Sequence, residues 1–315
     1  MTWKTALLII LCSAGLPAAD TGFNGRWNIH VSTPRGRVWW LEVKGAGTAS
    51  IQGSFVGAPG GQLDPLRDAR IEAGVLTFSF ERRNSSRDPA SPLIRQRFRA
   101  RLDGGELRGT REEESGAPLQ WRGVRAPEIA DRDDGAWKNG KTVNLFDGGS
   151  TSGWRKVVPA GPGWYVENGL LKNEKGASDI ASEAKFWNFQ ARAEYRYAQG
   201  ANSGIGLRGR YEIQIYDNFG KPPDIHGSGA LYSRIPPSVN ASKAPGEWQV
   251  LEIRLVGRDL TVTLNGTKVI DRRVVEGPTA ITTDPDEDKP GPFVLQGDHG
   301  PIEFRRLTVT ELVRQ

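Results

Sequence analysis

The sequence predicts an all-β protein in two parts: a small antiparallel β-barrel followed by a larger two-sheet jelly roll. Three observations carry this. The 315 residues include 39 glycines and 20 prolines, and hydrophobic residues make up 37%, a composition that suits many short strands joined by turns. Apolar and polar residues alternate with period two along most runs. Helical periodicity is limited to a short piece around Ser178 to Lys185.

The chain opens on an apolar run, Thr5 to Leu16, behind Lys4 and ahead of Pro17-Ala18-Ala19. Too short to span a bilayer, it reads as a secretory signal peptide over residues 1–19. That predicts a secreted or periplasmic bacterial protein with no transmembrane segment in its mature chain. Cys12, the single cysteine, lies inside this segment, so a mature chain has no disulfide, thiolate nucleophile or cysteine-ligated metal.

Residues 20–126 form the first module, an accessory or binding barrel. Trp27, Ile29 and Val31 alternate with polar neighbours, as do Leu76, Phe78 and Phe80, and Phe98, Ala100 and Leu102. Seven or eight such runs separated by glycine-rich turns predict a small antiparallel barrel. The opening FNGRW and closing LQWRG resemble lipocalin-like barrels. From Asp20 to Pro127 there are 17 basic and 12 acidic residues, with Lys44 the only lysine. Such a surface attracts polyanions, but arginines alternating with core residues read as dispersed and solvent-facing. No catalytic constellation occurs here, and His30 stands alone beside a core strand.

Residues 127–141 are charged, Pro- and Gly-containing and aperiodic, and read as a linker. From 142 to 315 strand-like runs recur, and Asn265-Gly266 is a strong hairpin signal. That many strands over this length predict a two-sheet jelly roll.

Within it, RGRYEIQIYD (Arg208 to Asp217) places Arg208, Arg210, Glu212 and Gln214 on one strand face, and a bulge after Gln214 would return Asp217 to it. Retaining glycosidases of the concanavalin-like jelly roll carry E-x-D-x-x-E at this spacing, with two carboxyls about 5–5.5 Å apart. Here Gln214 and the shorter Asp217 make the match partial, and spacing alone favours a polar row lining a sugar groove. Asn202-Ser203-Gly204 precedes the neighbouring run, its small residues allowing close approach to backbone. Tyr232 and His226 lie in HGSGALYS and its start, and His299 in LQGDHG, loops of the kind that carry function. DPDEDKPG (Asp284 to Gly291) departs from a calcium loop at Lys289 and Leu295 and reads as a solvated acidic loop. No phosphate loop, dinucleotide fingerprint, nucleophile elbow, HExxH or nucleic-acid motif is present.

NLFDGGSTSGW, GWYVENGLL, KFWNFQARAEYR, NSGIGLRG, YEIQIYDN, GALYSRIPPSVNASKAPGEWQVLEI, LNGTKVID and LQGDHGPIEFRRLTV, in this order over residues 142 to 312, resemble the 3-keto-disaccharide hydrolase family. The resemblance implies a concanavalin-like jelly roll acting on an oxidised (3-keto) disaccharide or glycoside, coupled to a sugar 3-dehydrogenase that supplies it. A C3 ketone acidifies the C2 proton, so a base can drive elimination at C1, and water then adds. On this reading Glu212, Asp217 and His299 take acid-base roles, Arg208 faces the enolate or a sugar oxygen, and Gln214, Asn202, Tyr232 and His226 position the sugar. His226, Asp217 and His299 include ligand types for a divalent metal, and no organic cofactor is implied. Two alternatives stand beside it: a direct retaining glycosidase using Glu212 and Asp217, and a non-catalytic carbohydrate-binding protein in which Trp164, Trp187 or Trp248 stack on sugars.

Overall fold

The computed structural model describes residues 20–31, 38–57, 61–83, 90–112, 117–279, 281–284 and 286–314. The signal-peptide reading of residues 1–19 falls outside them. No helix among the described residues is long and apolar enough to cross a membrane.

The first module is a nine-stranded up-and-down barrel of β1 (Gly25–Val31), β2 (Val38–Lys44), β3 (Gln52–Val56), β4 (Leu63–Pro65), β5 (Arg67–Glu72), β6 (Val75–Arg83), β7 (Leu93–Asp103), β8 (Glu106–Arg111) and β9 (Leu119–Arg125). The sheet order is β4-β3-β2-β1-β9-β8-β7-β6-β5. Its two edge strands, β4 and β5, are separated in sequence by Leu66 alone, so the sheet must curl until its edges meet. The centre is filled by rings: Phe55 and Phe98 lie 4.6 Å apart, Phe78 and Phe98 4.9 Å, and Trp39 stands edge-on to both Phe55 and Phe98. A barrel plugged this way offers ligands its outside rather than its lumen.

The second module comprises β10 (Trp137–Phe146), β11 (Trp154–Lys156), β12 (Trp164–Glu167), β13 (Leu170–Asn173), β14 (Ile180–Phe186), β15 (Phe189–Tyr197), β16 (Asn202–Leu207), β17 (Tyr211–Tyr216), β18 (Gln249–Val256), β19 (Asp259–Leu264), β20 (Thr267–Val274), β21 (Gly291–Leu295) and β22 (Ile302–Arg314). Two sheets form, β12-β13-β22-β15-β18-β19-β20 with β10 also on β22, and β11-β14-β21-β16-β17. This is the predicted jelly-roll sandwich. Phe189, Tyr195, Leu251, Phe293, Ile205 and Ile213 are among the residues of the core between the sheets. The helical signal near Ser178 to Lys185 is instead strand β14, whose pairing with β11 and β21 overrides a weak local preference.

The 127–141 segment is not a free linker. Asp131 accepts from Trp187 Nε1 and Asn188 Nδ2 at 2.8 Å each, Asp133 takes Arg254 through two bonds of 2.8 Å, and Trp137 already pairs with Arg314 in the sheet. The acidic 284–291 loop is likewise not simply solvated. Glu287 is buried with Arg258 at 3.0 Å and accepts from Tyr211 Oη at 3.0 Å. Arg210, itself fully buried, donates to Asp284 Oδ1 at 2.9 Å and to the carbonyls of Asp284, Asp286 and Lys289.

Removing one partner of a buried pair strands the other charge. Glu287→Ala is therefore expected to cost about 3–5 kcal/mol in chemical denaturation. Lys268→Ala, which breaks an exposed pair with Asp271, should cost less than about 1 kcal/mol.

Candidate active site

The site is built on the face of the smaller sheet that points away from the core. β16 and β17 pair without interruption from Asn202↔Tyr216 to Leu207↔Tyr211. Directly opposed residues share a face, so Asn202, Gly204 and Gly206 lie beside Tyr216, Gln214 and Glu212. Tyr211, Ile213 and Ile215 enter the core. On the far side of β16, Val294 opposes Gly206, and Gln296 donates its amide to the Gly204 carbonyl. At the outer edge of β17, Ile213 bridges Leu231 and Tyr232 N donates to Glu212 O.

Glu212 and Gln214 are 2% and 1% exposed. Room for the carboxylate comes from Gly204, where an added Cβ would lie 2.4 Å from Glu212 Oε1. The neighbouring Gly206 lets Ile281 pack on the sheet, since a Cβ there would meet that side chain at 3.3 Å. Neither glycine has positive φ, so both serve close approach rather than a turn. The roof over this end is formed by Thr279 and residues 281–283. Thr279 Oγ1 accepts from Glu212 N at 2.9 Å, and Thr282 Oγ donates to Arg210 O at 3.0 Å.

Gln214 Nε2 donates to Asn202 Oδ1 at 2.6 Å, which leaves Gln214 Oε1 buried with no protein partner. Gln296 Oε1, on the strand across Gly204, is in the same position. Two orphaned acceptors flanking one glycine, beside a buried carboxylate, form a seat for a hydroxyl-rich ligand.

His299 stands at the mouth of this face, 44% exposed, with Nδ1 bonded to Asp298. Its loop is pinned: Asn202 N donates to His299 O at 3.1 Å, Asn173 Nδ2 to the carbonyls of Gly297 and Gly300, and Gly297 N to Asp179 Oδ1. A carboxylate beside Nδ1 orients the imidazole. Beside it a recess of about 180 Å³ is bounded by Val157, Ala177, Asp179, Ile281, Thr283 and Asp298. His226 Nε2 lies 2.9 Å from Ser233 Oγ, and its ring packs 5.0 Å from that of Tyr232.

Glu212, Gln214, Asn202 and Tyr232 thus share one face, with His226 against Tyr232 and His299 at its end. Two expected members are elsewhere. Arg208 is not on the strand but in the turn Leu207–Arg210, closed by Arg210 N to Leu207 O, with φ of 53° at Arg208 and 66° at Gly209. It is fully buried, donates to Trp187 O at 2.7 Å, Gly257 O at 2.8 Å and Asn188 Oδ1, and stacks 4.0 Å from the Trp187 ring. Burial pulls its guanidinium down to about 9. It rivets the two sheets together and reaches no ligand. Asp217 does not return to the Glu212 face, because β17 has no bulge; its Oδ2 accepts from Gly200 N at 2.7 Å. The paired carboxylates of a retaining glycosidase are therefore not assembled.

Nor do His226, Asp217 and His299 form a metal centre. Among the described residues no three His, Cys, Asp or Glu side chains come together to hold an ion. The tryptophans are also committed: Trp164 Nε1 to Ser178 O, Trp187 Nε1 to Asp131, and Trp248 between Arg196 and Arg305. Gln296 and Asp298 escaped the sequence reading, although the alternation Val294, Gln296, Asp298 continues the parity of β21 that shares a face with Gly206 and Gly204.

A family model described as a 3-keto-alpha-glucoside-1,2-lyase-like domain matches residues 141–310. No curated protein matches the chain. Among solved structures, a candidate glycosyl hydrolase from Parabacteroides distasonis is similar at 27% identity, over 63% of this chain and 94% of that one, with a TM-score of 0.49. The carbohydrate-binding module CBM66 from Bacillus subtilis is similar at 14% identity, over 50% and 92%, with a TM-score of 0.32. The laminarinase from Rhodothermus marinus is similar at 10% identity, over 56% and 98%, with a TM-score of 0.36.

Gly204→Ala tests the seat. The added methyl would meet Glu212 Oε1, Cγ and Cδ at 2.4, 2.7 and 2.9 Å, so the side chain must move from Cγ outward while the backbone of β16 and β17 keeps its register. A displacement near 1 Å predicts turnover lower by on the order of 10²-fold, with the circular dichroism spectrum and melting midpoint close to those of the parent.

Proposed function

The chain belongs to the family of 3-keto-alpha-glucoside-1,2-lyase-like domains, and on that premise we propose that it cleaves glycosides whose sugar carries a ketone at C3. The C3 carbonyl makes the C2 hydrogen acidic. Glu212 takes that proton, the C2–H electrons form the C1=C2 bond, and the C1–O bond breaks. The leaving oxygen gains a proton from His299, which stands at the solvent side where the aglycone departs. Water then adds its hydroxyl to C1 and a proton returns to C2, giving net hydrolysis. Gln214 and Gln296 accept hydrogen bonds from the sugar hydroxyls, while Asn202, Tyr232 and His226 orient the ring. With Arg208 absent from this face, charge developing on the C3 oxygen falls to hydrogen-bond donors in the row.

The observation that supports this reading most is the buried carboxylate Glu212, laid on Gly204 beside two orphaned amide oxygens. Elimination needs one base at C2 and no covalent sugar–enzyme bond, and Glu212 supplies that base. The leader-like segment at 1–19 favours a site of action outside the cytoplasm. The substrate would come from a reaction that oxidises the C3 hydroxyl of an intact glycoside.

Side-by-side incubation with a 3-keto glucoside and its unoxidised parent, followed by mass spectrometry, should give products from the first alone. Glu212→Gln should lower that rate by about 10²–10⁴-fold, the range for loss of a general base. Equal cleavage of the parent glucoside would reject the proposal.

A further inference from the structure

The barrel arginines that look dispersed in sequence come into register in three dimensions. Arg101 opposes Arg108, Arg108 opposes Arg122, and Arg122 opposes His30, so one row crosses β7, β8, β9 and β1. Arg99 opposes Thr110, and Thr110 opposes Gln120, in the row beside it. These side chains bound an open recess of about 680 Å³.

Like charges directly opposed across strands are destabilising, and compensation here is incomplete. Glu106 lies within ion-pair reach of Arg122 and Arg108. Among the described residues, Arg99 and Arg101 have no carboxylate partner. Burial and the Arg122 charge pull the His30 imidazole below its ordinary range. The Glu106 carboxylate sits across Arg122 through two bonds with Arg108 alongside, the geometry an arginine fork offers a carboxylate.

We propose that this face is a binding surface for a polyuronate, a polysaccharide carrying a carboxylate on successive sugars. Arginine forks match carboxylates bidentately, and cationic groups repeat at the strand spacing of about 4.8 Å, a step comparable to the advance of one pyranose ring. Apart from His30 at its end, the Arg101–Arg108–Arg122 row and the Arg99–Thr110–Gln120 row carry no aromatic side chain, and the Trp121 ring bordering the recess is buried, which leaves little surface on which nucleobases could stack. The choice of a glycan over other polyanions rests on the sugar reading of the sandwich. The barrel then anchors the protein on acidic polysaccharide while the sandwich acts on glycosides released nearby.

The test uses the full chain with polygalacturonate, a neutral glucan, single-stranded DNA and anionic phospholipid vesicles, at low and physiological salt. Polygalacturonate should bind, weaken as salt rises and exceed the other three. The double variant Arg99→Ser/Arg101→Ser should lose at least about tenfold in affinity with unchanged turnover of a small uncharged 3-keto glucoside. That turnover control separates the proposal from the catalytic reading. Equal binding of neutral glucan, tighter binding of DNA or vesicles, or an unaltered double variant would overturn it.

Discussion

A buried carboxylate on the edge strand β17, on the sheet face turned away from the core, is the constraint around which the site is organised. An ionised group taken out of water is costly unless its surroundings are polar and its place is fixed. Gly204 opens the volume that Glu212 occupies, and Gly206 lets Ile281 close over the adjoining row. Thr279 takes the Glu212 amide, and the Arg210 carbonyl ties Thr282 to the same strand end. Arg210 and the Arg258–Glu287 pair then hold the following loop down. The buried charge network at this end of the molecule supports the position of a roof and stands apart from the reacting groups.

The barrel takes part in the same arrangement. Arg26 binds Glu276 at 3.0 Å, Trp40 packs its ring face against Gly277, and Arg234 joins Pro278 O to Gly61 O through bonds of 2.8 and 2.9 Å. Residues 276–278 lead directly into Thr279. The accessory module therefore grips the start of the segment that roofs Glu212, while its arginine row faces outward.

Much of this was legible in sequence because period-two alternation survives wherever a strand is regular. It placed Glu212 with Gln214, and the small residues of NSGIG marked close approach. It failed where the chain leaves the strand. Arg208 and Gly209 both adopt positive φ, so the turn breaks the parity that had grouped Arg208 and Arg210 with Glu212. Asp217 stayed on its original parity because no bulge formed. Glu287, in a run that reads as solvated, is buried by a partner 29 residues away, Arg258, and no local pattern records such a pairing. The registry of Arg101, Arg108 and Arg122 was hidden for the same reason, since it depends on three strand pairings rather than on spacing within one run.

The central claim is that Glu212 removes a proton from C2 before the glycosidic bond is lost. A 3-keto glucoside labelled with deuterium at C2 tests it directly, with enzyme-free exchange as the baseline. If elimination occurs, the released 3-keto sugar has lost its deuterium to solvent, and Glu212→Gln abolishes both the loss and the cleavage. A product that retains the C2 label after enzymatic cleavage would contradict the claim.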